Sequence, residues 1–343
     1  MEAGGRRTGW LADRSGWSDL VRPLEARRVS ATGFDRYLGG ITLLLFLIEV
    51  ASGILLLLYY KPDTVQAYAS VGRIVGEIPY GNLIRNVHAW SSDLFVASLG
   101  GHLLSVVLRR AYRAPYELRW LSGIVLLAIG IGLAFTGAVL PWSQKAYVRA
   151  RVGSELARYV PVLGDWLHRF LRGGDEVTSA TLQHAFGFHV AVLPAALSLF
   201  FAVHVVLLMR KREETAPVEG ASIPVYPDFI IRQAAAWTGV VVAVITLATF
   251  SDRLLGSPAD PRMATPSDAR PPWYFLWFHQ IVASSSRDLL GVNGPKFLVG
   301  TACLLGALVV GLPFLDRRGW KVTAYLALVL VFVLVVLSVN ALS

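Results

Sequence analysis

Cysteine is nearly missing from this chain: there is one, Cys303, in 343 residues. A single thiol excludes a disulfide framework, a Cys-based zinc site, a paired c-type haem attachment and a cysteine-ligated iron–sulfur cluster. Charge is scarce as well, at 16% of residues against roughly 25% in globular domains. With 55% hydrophobic residues and a mean hydropathy of +0.54, a soluble domain is excluded, and the lack of any low-complexity tract excludes disordered and collagenous chains. What is present is a set of apolar runs long enough to cross about 30 Å of hydrocarbon.

Seven such segments are predicted, at roughly 38–60, 86–108, 120–140, 186–209, 234–250, 297–315 and 321–341. The fold class is therefore an all-α polytopic membrane bundle. The first 37 residues hold seven Arg and no apolar run, so no signal peptide is expected, and Trp17 to Val29 has the pattern of an amphipathic surface helix. The net charge of +9 reads as topology rather than as a nucleic-acid patch. Of the Lys and Arg residues, 18 flank one side of the bundle, crowded near membrane ends, and 14 are spread over long loops on the other. This places the N-terminus inside. Two outer connections, Ser143 to His184 and Ser251 to Lys296, exceed the length of plain turns and are expected to form a functional cap of surface helices. The polar stretch Arg210 to Ala221 marks a boundary after the fourth segment. Four units follow: an N-terminal inner-face segment (1–37), a four-helix domain (38–209), an inner linker (210–233) and a three-helix domain (234–343).

Four of the seven histidines lie inside the second and fourth segments: His88 and His102, His189 and His204. At about 100° and 1.5 Å per residue, intervals of 14 and 15 residues return each pair to within about 40–60° of one helix face, about 21–22 Å apart along the axis. The two segments run parallel, so His88 lies level with His189 and His102 with His204. Ionisable groups at membrane depth are costly and usually functional. Two imidazoles at each of two levels suit the paired axial ligands of haem better than zinc, which takes three or four ligands around one ion. Gly39 and Gly53 in the first segment, and Gly123 and Gly137 in the third, repeat at the same 14-residue interval and leave room for a flat macrocycle. Arg85, Arg109, Arg110 and Arg210, near the ends of the histidine segments, are candidate partners for its propionates.

These residues, with Leu38-Gly-Gly-Ile-Thr42, Ile84-Arg-Asn-Val-His88, Gly137-Ala-Val-Leu-Pro-Trp-Ser-Gln144, Phe186-Gly-Phe-His189, Ala264-Thr-Pro266 and Pro272-Trp-Tyr274, make the chain resemble cytochrome b of the quinol-oxidising cytochrome bc and bf complexes from about Phe34 to Arg318. The resemblance implies two haem b groups, the low-potential one on His88 and His189 and the high-potential one on His102 and His204. The 15-residue spacing in the fourth segment and the seven spans look more like the bf type, with its b subunit and three-span partner fused near Arg210 to Ala221.

The resemblance also implies a quinol-oxidation pocket on the outer face, built from Tyr147 and the first long loop and from Pro271, Pro272, Trp273 and Tyr274 of the second. Pro272 stands where the family usually has a proton-carrying Glu, which leaves His279 as the next ionisable candidate. Tyr37 stands where bf-type chains have the cysteine of a covalent third haem, so no covalent haem is expected there. Glu49 replaces a frequent Gln, His184 and Ser105 replace Arg, and Gln233 replaces the Asp of the inner quinone motif, with Asp228, Arg232, Arg210 and Lys211 nearby.

The implied function is that of a proton-translocating quinol:cytochrome c oxidoreductase subunit, inactive alone. Its partners would be quinol and quinone, a Rieske-type iron–sulfur protein, a c-type cytochrome, the lipid bilayer of a bacterial inner membrane and a second copy of the complex, with no nucleic acid. The alternative is a dihaem membrane anchor passing electrons between a peripheral dehydrogenase and quinone, which would need neither long loop.

Overall fold

The structure, a computed structural model, describes residues 24–25, 28–30, 33–210, 222–266, 270–284 and 293–316. The seventh predicted segment, most of the Trp17–Val29 helix and the linker from Lys211 to Ala221 lie outside the described residues.

The described chain is helical almost throughout, as its apolar runs require. A backbone in hydrocarbon must satisfy its own hydrogen bonds. A 3-10 turn, Phe34–Tyr37, leads into α1 (Leu38–Leu57). After the short α2 (Ala67–Gly76) come α3 (Gly81–Leu108) and α4 (Glu117–Val139). Three shorter helices follow: α5 (Gln144–Ala157), α6 (Gly164–Arg172) and α7 (Ser179–Gly187). A π-helical turn, Phe188–Val192, joins α7 to α8 (Leu193–Met209). Beyond the linker, a strand at Ser222–Pro224 pairs antiparallel with Arg28–Ser30, and a second π turn opens α9 (Ile230–Phe250). The rest is a 3-10 turn, Trp273–Phe275, then α10 (Leu276–Ser284), α11 (Gly294–Val310) and α12 (Leu312–Leu315).

Five helical stretches are long and apolar enough to cross a membrane: Phe34–Leu57, Gly81–Leu108, Glu117–Val139, Ser179–Met209 and Val225–Phe250. They match the first five predicted segments. The second and fourth start five and seven residues earlier than expected, because hydropathy undercounts their polar first turns. The sixth segment appears as α11, 17 residues long, followed by α12.

The local start and stop signals are legible. Ser143 Oγ accepts from the Ala146 amide at 3.4 Å at the start of α5, a capping box of Thr178 and Thr181 opens α7, and Gly173 at φ +71° ends α6. Helices α5 and α6 form the cap expected of the first long loop, and α7 opens the fourth span. The segment after α9 is pinned onto the cap: the Gln144 amide donates to Ser257 O at 2.8 Å, and the Asp260 amide donates to Gln144 Oε1 at 2.7 Å.

The bundle pairs α1 with α3 and α8 with α4, and α3 touches α4 between the pairs. Ile41, Leu45, Phe95 and Leu197 are buried at its centre with Val244 from α9. Leu47, Ile54, Leu199, Val203 and Val242 face outward, as helices with lipid on one side require. Helix α9 docks on α1 at Gly40, whose carbonyl accepts from Trp237 Nε1 at 2.9 Å. A Cβ at Gly40 would meet the amide end of the Gln233 side chain at 2.6 Å, so that side chain also packs against this glycine. At the end opposite the cap, Asp316 fastens α12 to the α3–α4 connection. It takes a fork from Arg110 at 2.7–3.2 Å and a bond from the fully buried Tyr112.

Candidate functional site

The four membrane histidines meet in two levels. His88 on α3 and His189 in the π turn face one another at the capped end, their ring centroids 6.1 Å apart and their planes at 84°. His102 and His204 lie four turns further along the same helices, within electrostatic range of each other. The π turn carries His189 itself. Such bulges are rare and cluster at functional sites, and this one absorbs the mismatch of a 15-residue interval.

The tautomers follow from the hydrogen bonds. Ser52 Oγ lies 3.0 Å from His88 Nδ1 and already donates to Ile48 O at 2.6 Å. Ser122 Oγ lies 2.8 Å from His204 Nδ1 and donates to Arg119 O. His189 Nδ1 lies 3.1 Å from Leu133 O and 3.3 Å from Thr136 Oγ1, which itself donates to Gly132 O. A carbonyl, or a hydroxyl whose proton is committed elsewhere, can only accept. Nδ1 is therefore the N–H of these three rings, which leaves Nε2 as a lone pair available to a metal. His102 Nδ1 is buried and has no hydrogen-bond partner among the described residues.

The glycines predicted to make room lie against these rings. A Cβ added at Gly53, Gly39 or Gly123 would stand 3.3, 3.4 or 3.5 Å from Cε1 of His88, His102 or His204, and one at Gly137 only 2.6 Å from Cε1 of His189. Each glycine lies next to the imidazole of the helix paired with its own. Three are preceded by the hydroxyl that holds the same ring: Ser52-Gly53, Ser122-Gly123 and Thr136-Gly137. Sequence reasoning missed these hydroxyls, although their place before each regularly spaced glycine was a usable signal.

At the capped level the donor set fits a haem. The His88 and His189 imidazoles present Nε2, and their centroid spacing of 6.1 Å accommodates one ion between two nitrogen bonds of about 2.0–2.1 Å, the length usual for imidazole on zinc. Among the described residues no cluster of three or more His, Cys, Asp or Glu would hold a bare ion.

The arginines diverge. Arg85 donates to the Arg253 carbonyl at the capped end. Arg109 pairs with Asp35 at 3.0 Å and donates to Ser105 Oγ at 2.6 Å. Arg110 is taken up by Asp316, and Arg210 is exposed at the end of α8.

At the capped end, Pro271 and Pro272 run into the Trp273–Phe275 turn, where the Trp273 and Tyr274 rings lie 5.4 Å apart. Burial raises the Tyr274 pKa above its usual value. Tyr147 packs edge-on against Trp142 at 6.1 Å, and His279 is exposed on α10. A narrow crevice between α4, the cap helices and the π turn is lined by Phe135, Thr136, Ser154, Phe170, His184 and Phe188. None of the Pro271–His279 residues lines it.

A second feature escaped the sequence reading. Arg253 reaches down α3 over the Trp90 ring, 3.7 Å from its centroid, to pair with Asp93. Arg149 stands near that pair and Tyr274, with its pKa lowered by burial.

The fold and its two imidazole levels define a membrane-embedded electron-transfer bundle. Comparison with known proteins gives the family. Residues 30–212 match the family model Cytochrome b/b6/petB, and residues 258–343 match Cytochrome b(C-terminal)/b6/petD. The chain is 35% identical over 295 residues to the cytochrome bc complex cytochrome b subunit of Chlorobaculum thiosulfatiphilum, covering 84% of this chain and 68% of that one. It is 39% identical over 210 residues to cytochrome b6 of Prochlorococcus marinus (strain AS9601), covering 61% of this chain and 96% of that one. Its fold is similar to a chain of a solved hyperthermophilic respiratory Complex III, with a TM-score of 0.78 at 23% identity and 97% of both chains covered. The chain belongs to the cytochrome b/b6 family, with the N- and C-terminal units of that family fused in one polypeptide, and it is an integral membrane haem protein of electron transport.

Proposed function

We propose that the chain is the cytochrome b subunit of a bc/b6f-type complex, oxidising quinol on the capped side of the membrane and reducing quinone on the opposite side. In this reading His88 and His189 hold the low-potential haem b, and His102 and His204 the high-potential one. These groups supply one-electron centres stacked across the bilayer.

The chain's own residues hold and insulate them. Ser52, Ser122, Thr136 and the Leu133 carbonyl fix the imidazoles as Nε2 ligands. Leu45, Phe95, Leu99 and Leu133 fill the space between the two levels and keep water and protons out of it. Arg85, Arg109 and Arg210 are the cations available to propionates, while Arg110 is committed to Asp316. Tyr147 and Pro271 to Tyr274 form the quinol wall, and His279 takes a quinol proton to the aqueous side. With one cysteine the chain holds no iron–sulfur acceptor, so a Rieske-type protein takes the first electron and passes it to a c-type cytochrome.

The full arrangement has seven spans, the seventh at 321–341. The N-terminus is cytoplasmic in a bacterial inner membrane, and the domain boundaries are those given above. The complex works as a homodimer.

The observation that carries this reading is the facing of His88 and His189 with each Nδ1 bonded away from the partner ring. A reduced-minus-oxidised spectrum of the purified complex tests it: two b-type components are expected, and one or none would overturn it.

A further inference from the structure

Asp93 and Arg253 answer one another, but a third charged group beside them has no counterpart. Arg149 comes from α5 in the cap and lies within electrostatic range of Tyr274, Asp93 and Arg253. Four elements thus converge here: the cap helix α5, α3, the segment after α9 and the Trp273–Phe275 turn. Asp93 pairs with Arg253, which also lies over the Trp90 ring. Arg149 forms no ion pair among the described residues, and its Nε is buried without a hydrogen-bond partner there. Arg253 Nε is unpartnered as well, but that guanidinium is already committed to Asp93 and the Trp90 face. A buried N–H of a charged group costs free energy unless something supplies the acceptor. With Asp93 taken, the charge left over is that of Arg149, and it stands beside the residue that forms the aromatic wall of the capped-side pocket, Tyr274.

We propose that Arg149 is a catalytic residue of quinol oxidation, donating to the quinol oxygen that loses its proton and holding the negative charge that develops on it. The proposal deepens the proposed function and rests on it. Arginine stays protonated in proteins, so Arg149 is not the base. The quinol O–H bond breaks, its proton goes to His279, and the bonding pair stays on the oxygen beside Arg149. The iron–sulfur partner then takes one electron from the deprotonated quinol. A fixed donor aimed at a developing negative charge, in a site screened from water, acts on that step more than on binding of the neutral quinol. The surroundings keep the donor free for it. Arg253 occupies the one nearby carboxylate, and the Pro271-Pro-Trp-Tyr274 stretch carries no acid that would neutralise Arg149.

The test uses the intact complex in its membrane, assayed for quinol oxidation in the presence of either of two inhibitory probes: a hydroxyquinone that is ionised at neutral pH, and its uncharged methyl ether. The wild type is expected to bind the ionised probe about tenfold more tightly, the difference between a hydrogen bond to a charged group and one to a neutral group. Arg149→Gln is expected to lose that preference and about a hundredfold in kcat/KM, the loss usual for one missing donor at a developing oxyanion, with both b-type components still bound. Arg149→Lys keeps the charge without the planar fork and should keep the preference. Asp93→Asn, which loosens the neighbouring pair, should keep it too. Equal inhibition of the wild type by the two probes, wild-type kinetics in Arg149→Gln, or a preference lost in Asp93→Asn and kept in Arg149→Gln would overturn the proposal, and the first of these needs no variant to assemble. A wild-type complex that oxidises no quinol would instead overturn the proposed function, before either probe is compared.

Discussion

The two imidazole levels are built from the same parts, a ligand pair on α3 and α7–α8 with a glycine on α1 or α4 against each ring, yet they are buttressed differently. At the capped end both rings are oriented through Nδ1, His88 by Ser52 and Glu49 and His189 by Leu133 and Thr136. At the opposite end, among the described residues, only His204 is, by Ser122. The capped end also gathers partly buried charge alongside α3, in the Asp93–Arg253 pair and the nearby Arg149, whereas the opposite end keeps its ion pairs, Arg109–Asp35 and Arg110–Asp316, beyond the helix ends. Repetition of a ligand pattern fixes where groups bind. The second layer of contacts makes the two ends unequal.

That inequality can be broken one layer at a time. The largest loss of stability is expected from Arg253→Met, which leaves Asp93 without its cation. Breaking a fully buried pair costs about 3–5 kcal/mol, and this one, with side chains 36% and 22% exposed, should fall somewhat below that. Thermal unfolding of the purified complex checks it. The double variant with Asp93→Leu is expected to regain much of the loss, and a single variant as stable as wild type would remove the pair from the account.

Next comes Gly137→Ala. Its Cβ would stand 2.6 Å from the His189 ring, and overpacking of this kind costs about 1–3 kcal/mol. The capped-end component of the haem spectrum should be displaced or lost. Gly123→Ala, at 3.5 Å from His204, should leave the opposite component nearly intact. Equal effects of the two would contradict the difference in closeness.

The smallest effect concerns the staple at the opposite end. Burial opposes the Asp316 carboxylate, but hydrogen bonds from Arg110 and Tyr112 outweigh it and hold its pKa below the ordinary value. A depressed carboxylate pKa adds stability above the unfolded value of about 3.9, and that stability is lost as pH falls through the lower folded value. Asp316→Asn, whose amide oxygen can still accept, should therefore weaken the protein near neutral pH by about 0.5–1.5 kcal/mol. It should also flatten the loss of stability that the wild type shows below about pH 4. Melting curves across that range read both.

Much of this architecture was legible in the residues because membrane burial writes in periods. Apolar runs gave the first five spans. The intervals from His88 to His102 and from His189 to His204 gave two levels, and the glycine intervals matched them. The cap helices followed from the length of the Ser143 to His184 connection. What the sequence hid depends on approach in space rather than on spacing. Nothing in the pattern says that Arg253, beyond α9, reaches Asp93 on α3, or that Asp316 claims Arg110, which otherwise looks like any basic residue at a helix end. The π turn at His189 was equally invisible, since one inserted residue in an apolar helix leaves no mark in hydropathy.

The central claim is that the two levels are separate sites. The most direct measurement is the reduced-minus-oxidised spectrum of the assembled complex carrying His189→Leu, set beside that carrying His204→Leu. The account predicts that each variant loses one b-type component and keeps the other, a different one in each case. Loss of the same component in both variants, or two intact components in either, would contradict it.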